Sequence, residues 1–312
     1  MAAAVRGTGL GVRTPRPRVF SDCLSCAERG GEMVVTASLA RGAVRAAAVK
    51  HSDASEREFR RLKEVGVRAP ATLRGYREWF RNYSAMLQRD ALLIVCGNIG
   101  RRKGALSAYK PNFQETDQGW NLGICELRIE FLPGQIELID VRPLPVRISG
   151  HALERMFQRL NTIDWPVIRG CLASAALFVN AVASACLASG ARQCAVPADE
   201  GLLVGQIGED SLALRTFLPA SQLNPRWQSL YDGLRAFAAD NSEAIRAAGL
   251  VPDDGLMRSF GEFLKRGDFA WLRRPYVPGE DPLEDAWRSR ASGGNDSVSG
   301  ADLPASAVPV DA

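Results

Sequence analysis

Histidine is the scarcest functional side chain in this sequence, with His51 and His151 alone among 312 residues. Seven cysteines stand at positions 23, 26, 96, 125, 171, 186 and 194, an odd number set mostly in apolar runs. A structural zinc needs four ligands, and the lone Cys23-Leu-Ser-Cys26 has neither a second cysteine pair nor a nearby histidine to complete it. The odd, scattered count also argues against a disulfide framework and reads as reduced thiols of a cytoplasmic protein. A Walker loop, a GxGxxG opening a βαβ unit, a GxSxG elbow and an HExxH helix are all missing. Their absence speaks against the nucleotide-cradling, dinucleotide, esterase and zincin chemistries. No cofactor and no metal are therefore expected.

Charge of one sign is also in short supply. The formal net charge of +4 permits contact with a polyanion without demanding it. Long hydrophobic runs are limited to residues 171–189, uncharged throughout but rich in Ala and Ser and carrying Asn180. Such a segment transfers poorly into lipid, so it reads as a buried core helix, and no membrane partner or secretory signal is expected. Apolar residues at 46% and charged residues at 24% are ordinary for a globular chain. The length suffices for one large domain or two modest ones.

What is present divides the chain. Residues 1–32 carry Arg6, Arg13, Arg16 and Arg18 with no acid before Asp22, and read as a disordered basic arm; translation from Met33 accounts for it equally well. Residues 33–90 read as a helical region. It holds a helix over 55–65 capped by Ser52 or Asp53, then an amphipathic segment over 72–89 with Leu73, Tyr76, Trp79, Phe80, Tyr83 and Leu87 as its core stripe. Residues 91–274 read as an α+β core. Its strands are expected at 91–96, 122–132, 135–141, 192–197, 201–207 and 211–218. Its helices are expected near 164–189, with Pro166 early and Gly190 just past the end, at 225–237 and within 241–273. Residues 275–312 read as a disordered acidic, low-complexity tail. The expected architecture is α+β, with helices packed on a mainly antiparallel sheet.

The segment richest in chemistry is Ser149-Gly-His-Ala-Leu-Glu-Arg-Met-Phe-Gln-Arg-Leu160. At 100° per residue, His151, Arg155, Gln158 and Arg159 share one helical face, while Leu153, Met156, Phe157 and Leu160 share the opposite one. Imidazole changes charge near neutrality, and a helix N-terminus disfavours its cationic form, which suits His151 to the part of a base. Arg155 and Arg159 offer permanent cations with a fork that matches phosphate. The plain alternative is a solvated amphipathic face. The basic loop at 100–104, with Arg101, Arg102 and Lys103, is a further place where phosphate can be held.

A strand leading into this helix, a second helix, and three short strands ending in Leu214-Arg-Thr-Phe-Leu-Pro219 resemble the small ribonuclease-toxin superfamily related to barnase, colicin E5 and RelE. The likeness covers residues 145–220 and is nearest to the group that opens with a His-Ala-x-x-Arg-Met-x-x-Arg helix. It implies metal-independent cleavage of RNA, with His151 and Arg155 catalytic, Thr216 hydrogen-bonding the reacting phosphate from the closing strand, and an antitoxin-like protein partner. The strand's own alternation instead sets Thr216 among leucines. Two other readings stand beside this one. One is a non-catalytic interaction or nucleic-acid-binding protein of a phage, plasmid or other mobile element. The other is a magnesium nuclease assembled from Glu126, Glu130, Glu137 and Asp140, residues that hairpin alternation otherwise assigns to solvent.

Overall fold

The computed structural model describes residues 34–64, 78, 81–82, 84–98, 104–117, 119–132, 135–248 and 254–273. The arm at 1–32, most of the aromatic stripe at 72–89 and the tail at 275–312 lie outside these residues. The fold is α+β. Helix α1 (Ala37–Glu64) precedes four strands, β1 (Leu93–Asn98), β2 (Gly104–Thr116), β3 (Gly119–Leu132) and β4 (Gln135–Ile148). Helices α2 (Gly150–Arg159) and α3 (Trp165–Ala188) follow. Strands β5 (Gln193–Ala198), β6 (Gly201–Ile207) and β7 (Leu212–Pro219) come next, then α4 (Pro225–Asp240), α5 (Ser242–Ala248) and α6 (Asp254–Lys265).

All seven strands join one sheet in the order β1-β2-β3-β4-β7-β6-β5. Every pairing is antiparallel except β4 with β7, a parallel seam running from Val146↔Leu212 to Ile148↔Leu214. Strand β2 is unforeseen in the sequence because Lys110-Pro111-Asn112 reads as a breaker. Proline is tolerated there because β1 pairs only as far as Tyr109, so beyond that point β2 has no β1 residue opposite it. Pro143 sits beside a register shift between Gly123 and Cys125, where β4 leaves its regular pairing with β3.

The expected helix at 55–65 is not a separate element. Helix α1 runs unbroken from Ala37, and the hydroxyl of Thr36 accepts from the Leu39 amide (3.4 Å) ahead of it. Its buried positions Ala40, Val44, Ala47, Ala48 and His51 recur at helical spacing, and small side chains let α1 lie close against α2. From α2, Ala152, Leu153, Met156 and Phe157 enter the same core. Full burial of each of the three larger side chains contributes roughly 1.5–3 kcal/mol. Helix α3 is long and apolar enough to cross a membrane by length and composition, yet it packs on β5, β4 and α6 with eleven residues buried.

His51 anchors the far end of this wall. It is 2% exposed, its ring lies 5.4 Å from that of Trp165 on α3, and among the described residues neither ring nitrogen has a hydrogen-bond partner. Burial holds the imidazole below its ordinary pKa, Lys50 and Arg169 add to this, and Asp90 opposes it. Such a group favours the folded state above the unfolded histidine pKa of about 6.5, and that contribution is lost as pH falls toward the folded value. Equilibrium unfolding between pH 7.5 and 5.5 should therefore show stability falling with acidification, with a clearly shallower slope in His51→Phe. Equal slopes in both proteins would contradict this.

Candidate active site

Ser149 and Gly150 deliver His151 into position. The Ser149 amide donates to the Leu214 carbonyl (2.9 Å) and its hydroxyl to the Arg215 carbonyl (3.2 Å), pinning the entry to α2 onto β7. The same hydroxyl accepts from the Ala152 amide (3.1 Å) and so caps the helix. A Cβ on Gly150 would overlap the Trp120 carbonyl oxygen, so only glycine lets the first turn press against the start of β3. At the other end, Asn161 takes a left-handed conformation (φ 47°), and its side chain accepts from the Val35 amide (2.9 Å). Glu154 pairs with Arg41 at 3.5 Å. The 35/161 and 41/154 contacts set α1 and α2 antiparallel, which brings the next turn of α1, with Arg45, toward the start of α2.

There the two helices and the β2–β3 hairpin enclose an open cleft of about 760 Å³. His151 lines it with Arg41 and Arg45 from α1, Glu115 from β2, Trp120 from β3, and Glu154. Arg41 is strongly exposed, so its ion pair is worth at most about 1 kcal/mol and orients the helices more than it holds them. Among the described residues no hydrogen bond or ion pair occupies Arg45. Burial and then the charge of Arg155 lower the His151 pKa, with Glu154 partly offsetting them. The neutral form of the imidazole is thereby favoured, and in that form a single ring nitrogen accepts hydrogen bonds or protons. Arg155 Nε donates to His151 Nε2 at 3.4 Å, and Arg155 Nη1 to Gln158 Oε1 at 3.1 Å.

The other residues singled out in the sequence do not converge on this cleft. Arg159 Nη1 donates to the Phe217 carbonyl and so ties α2 to β7, and Arg159 is not among the residues lining the cleft. Thr216 is 8% exposed, its hydroxyl has no partner among the described residues, and it is not among the residues lining the cleft. A bulge explains its placement. Between Val204 and Gly205 the β6–β7 register slips, so Leu214 and Phe217 both enter the core although three residues apart. Gly205 permits the slip, since a Cβ there would overlap the Ala213 carbonyl. Arg101, Arg102 and Lys103 lie outside the described residues.

The described hairpin carboxylates are not gathered together. Glu126 is fully buried and paired with Arg142, whose Nη2 donates to Asn180 Oδ1 (3.1 Å); Asn180 Nδ2 in turn donates to Tyr109 Oη (2.9 Å). Tyr109, Glu126 and Arg142 stand directly opposite one another on β2, β3 and β4. Glu130 is also buried and paired with Arg128, while Asp140 is exposed. The Glu137 side chain lies outside those described. The buried acids thus correct the solvent-facing assignment, and no cluster of metal-ligating side chains occurs among the described residues.

Reasoning from sequence missed Arg41, Arg45, Glu115 and Trp120. The arginines were legible as one exposed stripe one turn apart, but only once residues 37–51 are taken as helical. No protein-family model matches this chain, and neither a curated protein nor a solved structure does so.

Two measurements check this geometry. In a proton NMR titration the His151 ring should titrate below 6.5, move upward in Arg155→Gln and downward in Glu154→Gln. An unmoved titration in both variants would overturn the assigned causes. Gly150→Ala should cost about 1–3 kcal/mol of stability through overpacking against Trp120; a change under 0.5 kcal/mol would show the approach is not tight.

Proposed function

We propose that the cleft is a metal-independent, ribonuclease-like site in which His151 is the base and Arg45 and Arg41 hold the phosphate of an RNA strand. One observation carries the reading: His151 lines a concave, open space with two arginines of another helix, where a merely solvated helical face would be convex. Cleavage of RNA needs a base for the 2′-hydroxyl proton, cations beside the crowded phosphate oxygens, and an acid for the leaving oxygen. Neutral His151 fits the first need and the α1 arginines the second. The proton that His151 takes from the 2′-hydroxyl is returned by its imidazolium to the leaving oxygen, and Glu115 and Glu154 are the carboxylates that border the cleft. Trp120 offers an aromatic ring against which a base can stack. Arg155 donates to Nε2, the accepting nitrogen of the neutral ring, so it positions His151 at rest and releases that nitrogen when His151 acts as the base. A toxin-like role in the cytoplasm, with a protein partner that covers the cleft, extends the same reading.

A second reading is a non-catalytic nucleic-acid-binding accessory protein. One contact favours it, because the Arg155 hydrogen bond occupies Nε2, the lone-pair nitrogen that a neutral imidazole needs in order to act as a base.

Incubation of the purified chain with total RNA in EDTA separates the two. The catalytic reading expects cleavage by the wild type and a loss of at least about 100-fold in His151→Gln, the usual worth of an acid–base group. Arg45→Ala should weaken cleavage and flatten the salt dependence of RNA binding. Intact RNA with the wild type, accompanied by salt-sensitive binding, would retire the ribonuclease proposal in favour of the second reading.

A further inference from the structure

A second concavity shares no lining residue with the cleft. It lies where α3, the end of β5, α4 and α5 meet, and has a volume of about 220 Å³. Its walls include Leu177 and Phe178 of α3, Ala238 of α4 and Ile245 of α5. Arg235 and Arg246 stand among the lining residues, against one acid, Asp199. Both arginines are exposed, so their charged ends stay in water while the apolar walls lie behind them.

The position of Arg235 is built into the fold. Its Nη1 donates to the Tyr231 hydroxyl at 3.5 Å, and its guanidinium lies over the Tyr231 ring at 5.4 Å from the centroid. The Tyr231 hydroxyl donates onward to the Asp199 carbonyl at 3.0 Å. The arginine is thereby tied to the β5–β6 turn that forms part of the same pocket, and little freedom remains to be lost on binding an anion. The Asp199 backbone takes part in this chain, while its carboxylate leaves the pocket with two cations for one anion. Among the described residues Arg246 has no hydrogen-bond or ion-pair partner.

We propose that this pocket is a second ligand site, which takes a small carboxylic acid with an apolar body. The volume corresponds to about seven waters, the size of a short aliphatic or single-ring acid. The apolar walls favour such a body over inorganic phosphate, and a guanidinium fork matches a carboxylate with two parallel hydrogen bonds. The hydrocarbon part lies on Phe178 and Ile245, and the carboxylate meets Arg246 and Arg235 at the mouth.

Calorimetric titration of the full chain with hexanoate, beside its uncharged match hexanamide, tests the assignment. Hexanoate should bind saturably and at least tenfold more tightly than hexanamide. Arg246→Ala, at an exposed position, should weaken hexanoate by about tenfold, and Arg45→Ala in the cleft should leave it unchanged. Ala238→Phe, which fills the wall, should abolish binding in a variant whose thermal unfolding remains cooperative. Failure of hexanoate to bind at millimolar concentration, equal binding of the two probes, or indifference to Arg246→Ala would each overturn the proposal.

Discussion

Ser149 and Gly150 carry the backbone from β4 into α2 while touching two other strands at once. The Ser149 amide and hydroxyl both reach carbonyls of β7, and the Gly150 backbone lies against the Trp120 carbonyl of β3. Hydrogen bonds of this kind are individually worth about 1 kcal/mol, but together they leave the first turn of α2 a single place to go. Everything in the cleft inherits that placement. His151 follows Gly150 directly, Arg155 reaches it from one turn on, and α1 takes its line from contacts with Glu154 and Asn161. A backbone constraint thus sets the distances among charged side chains that are too long and mobile to set them for themselves.

The electrostatics of the cleft follow from this arrangement. Arg41, Arg45 and Arg155 approach from two helices, and the carboxylates of Glu154 and Glu115 keep the space from becoming uniformly positive. The partial burial of His151 and the charge of Arg155 act in one direction, toward a neutral ring. The row of Tyr109, Glu126, Arg142 and Asn180, buried at Tyr109 and Glu126, uses polar groups differently. Burial and the Glu126 charge both push the Tyr109 hydroxyl to bind its proton more tightly, so the tyrosine stays a hydrogen-bonding phenol through the physiological range.

Much of the second half of the fold was legible from residues. The alternation in 193–219, the turn residues between those strands, Pro166 at the start of α3 and Gly190 beyond its end all act locally, and the structure follows them. The apolar stripe Leu153, Met156, Phe157 likewise foretold which side of α2 faces inward. Strand β2 was hidden, because whether Pro111 is tolerated depends on where its neighbour β1 stops, a fact no window around Pro111 contains. Thr216 depended on a bulge opposite Gly205, which reverses the alternation counted from Leu212. The site was half legible. His151 announced itself, but its companions Arg41 and Arg45 lie more than a hundred residues upstream and join it only through the antiparallel packing of two helices.

The parallel seam between β4 and β7 gives the sheet an uneven cohesion. On either side of it the strands are joined by long antiparallel ladders between neighbours in sequence, which close over short turns. The seam holds the two halves by three residue pairs and closes a loop of roughly 60 residues, with a correspondingly larger entropic cost. Strands β1–β4 and β5–β7 are therefore each able to assemble before they meet. The polypeptide that links them is α2 with α3, so the helix that carries the imidazole is also the start of the connection between the two half-sheets.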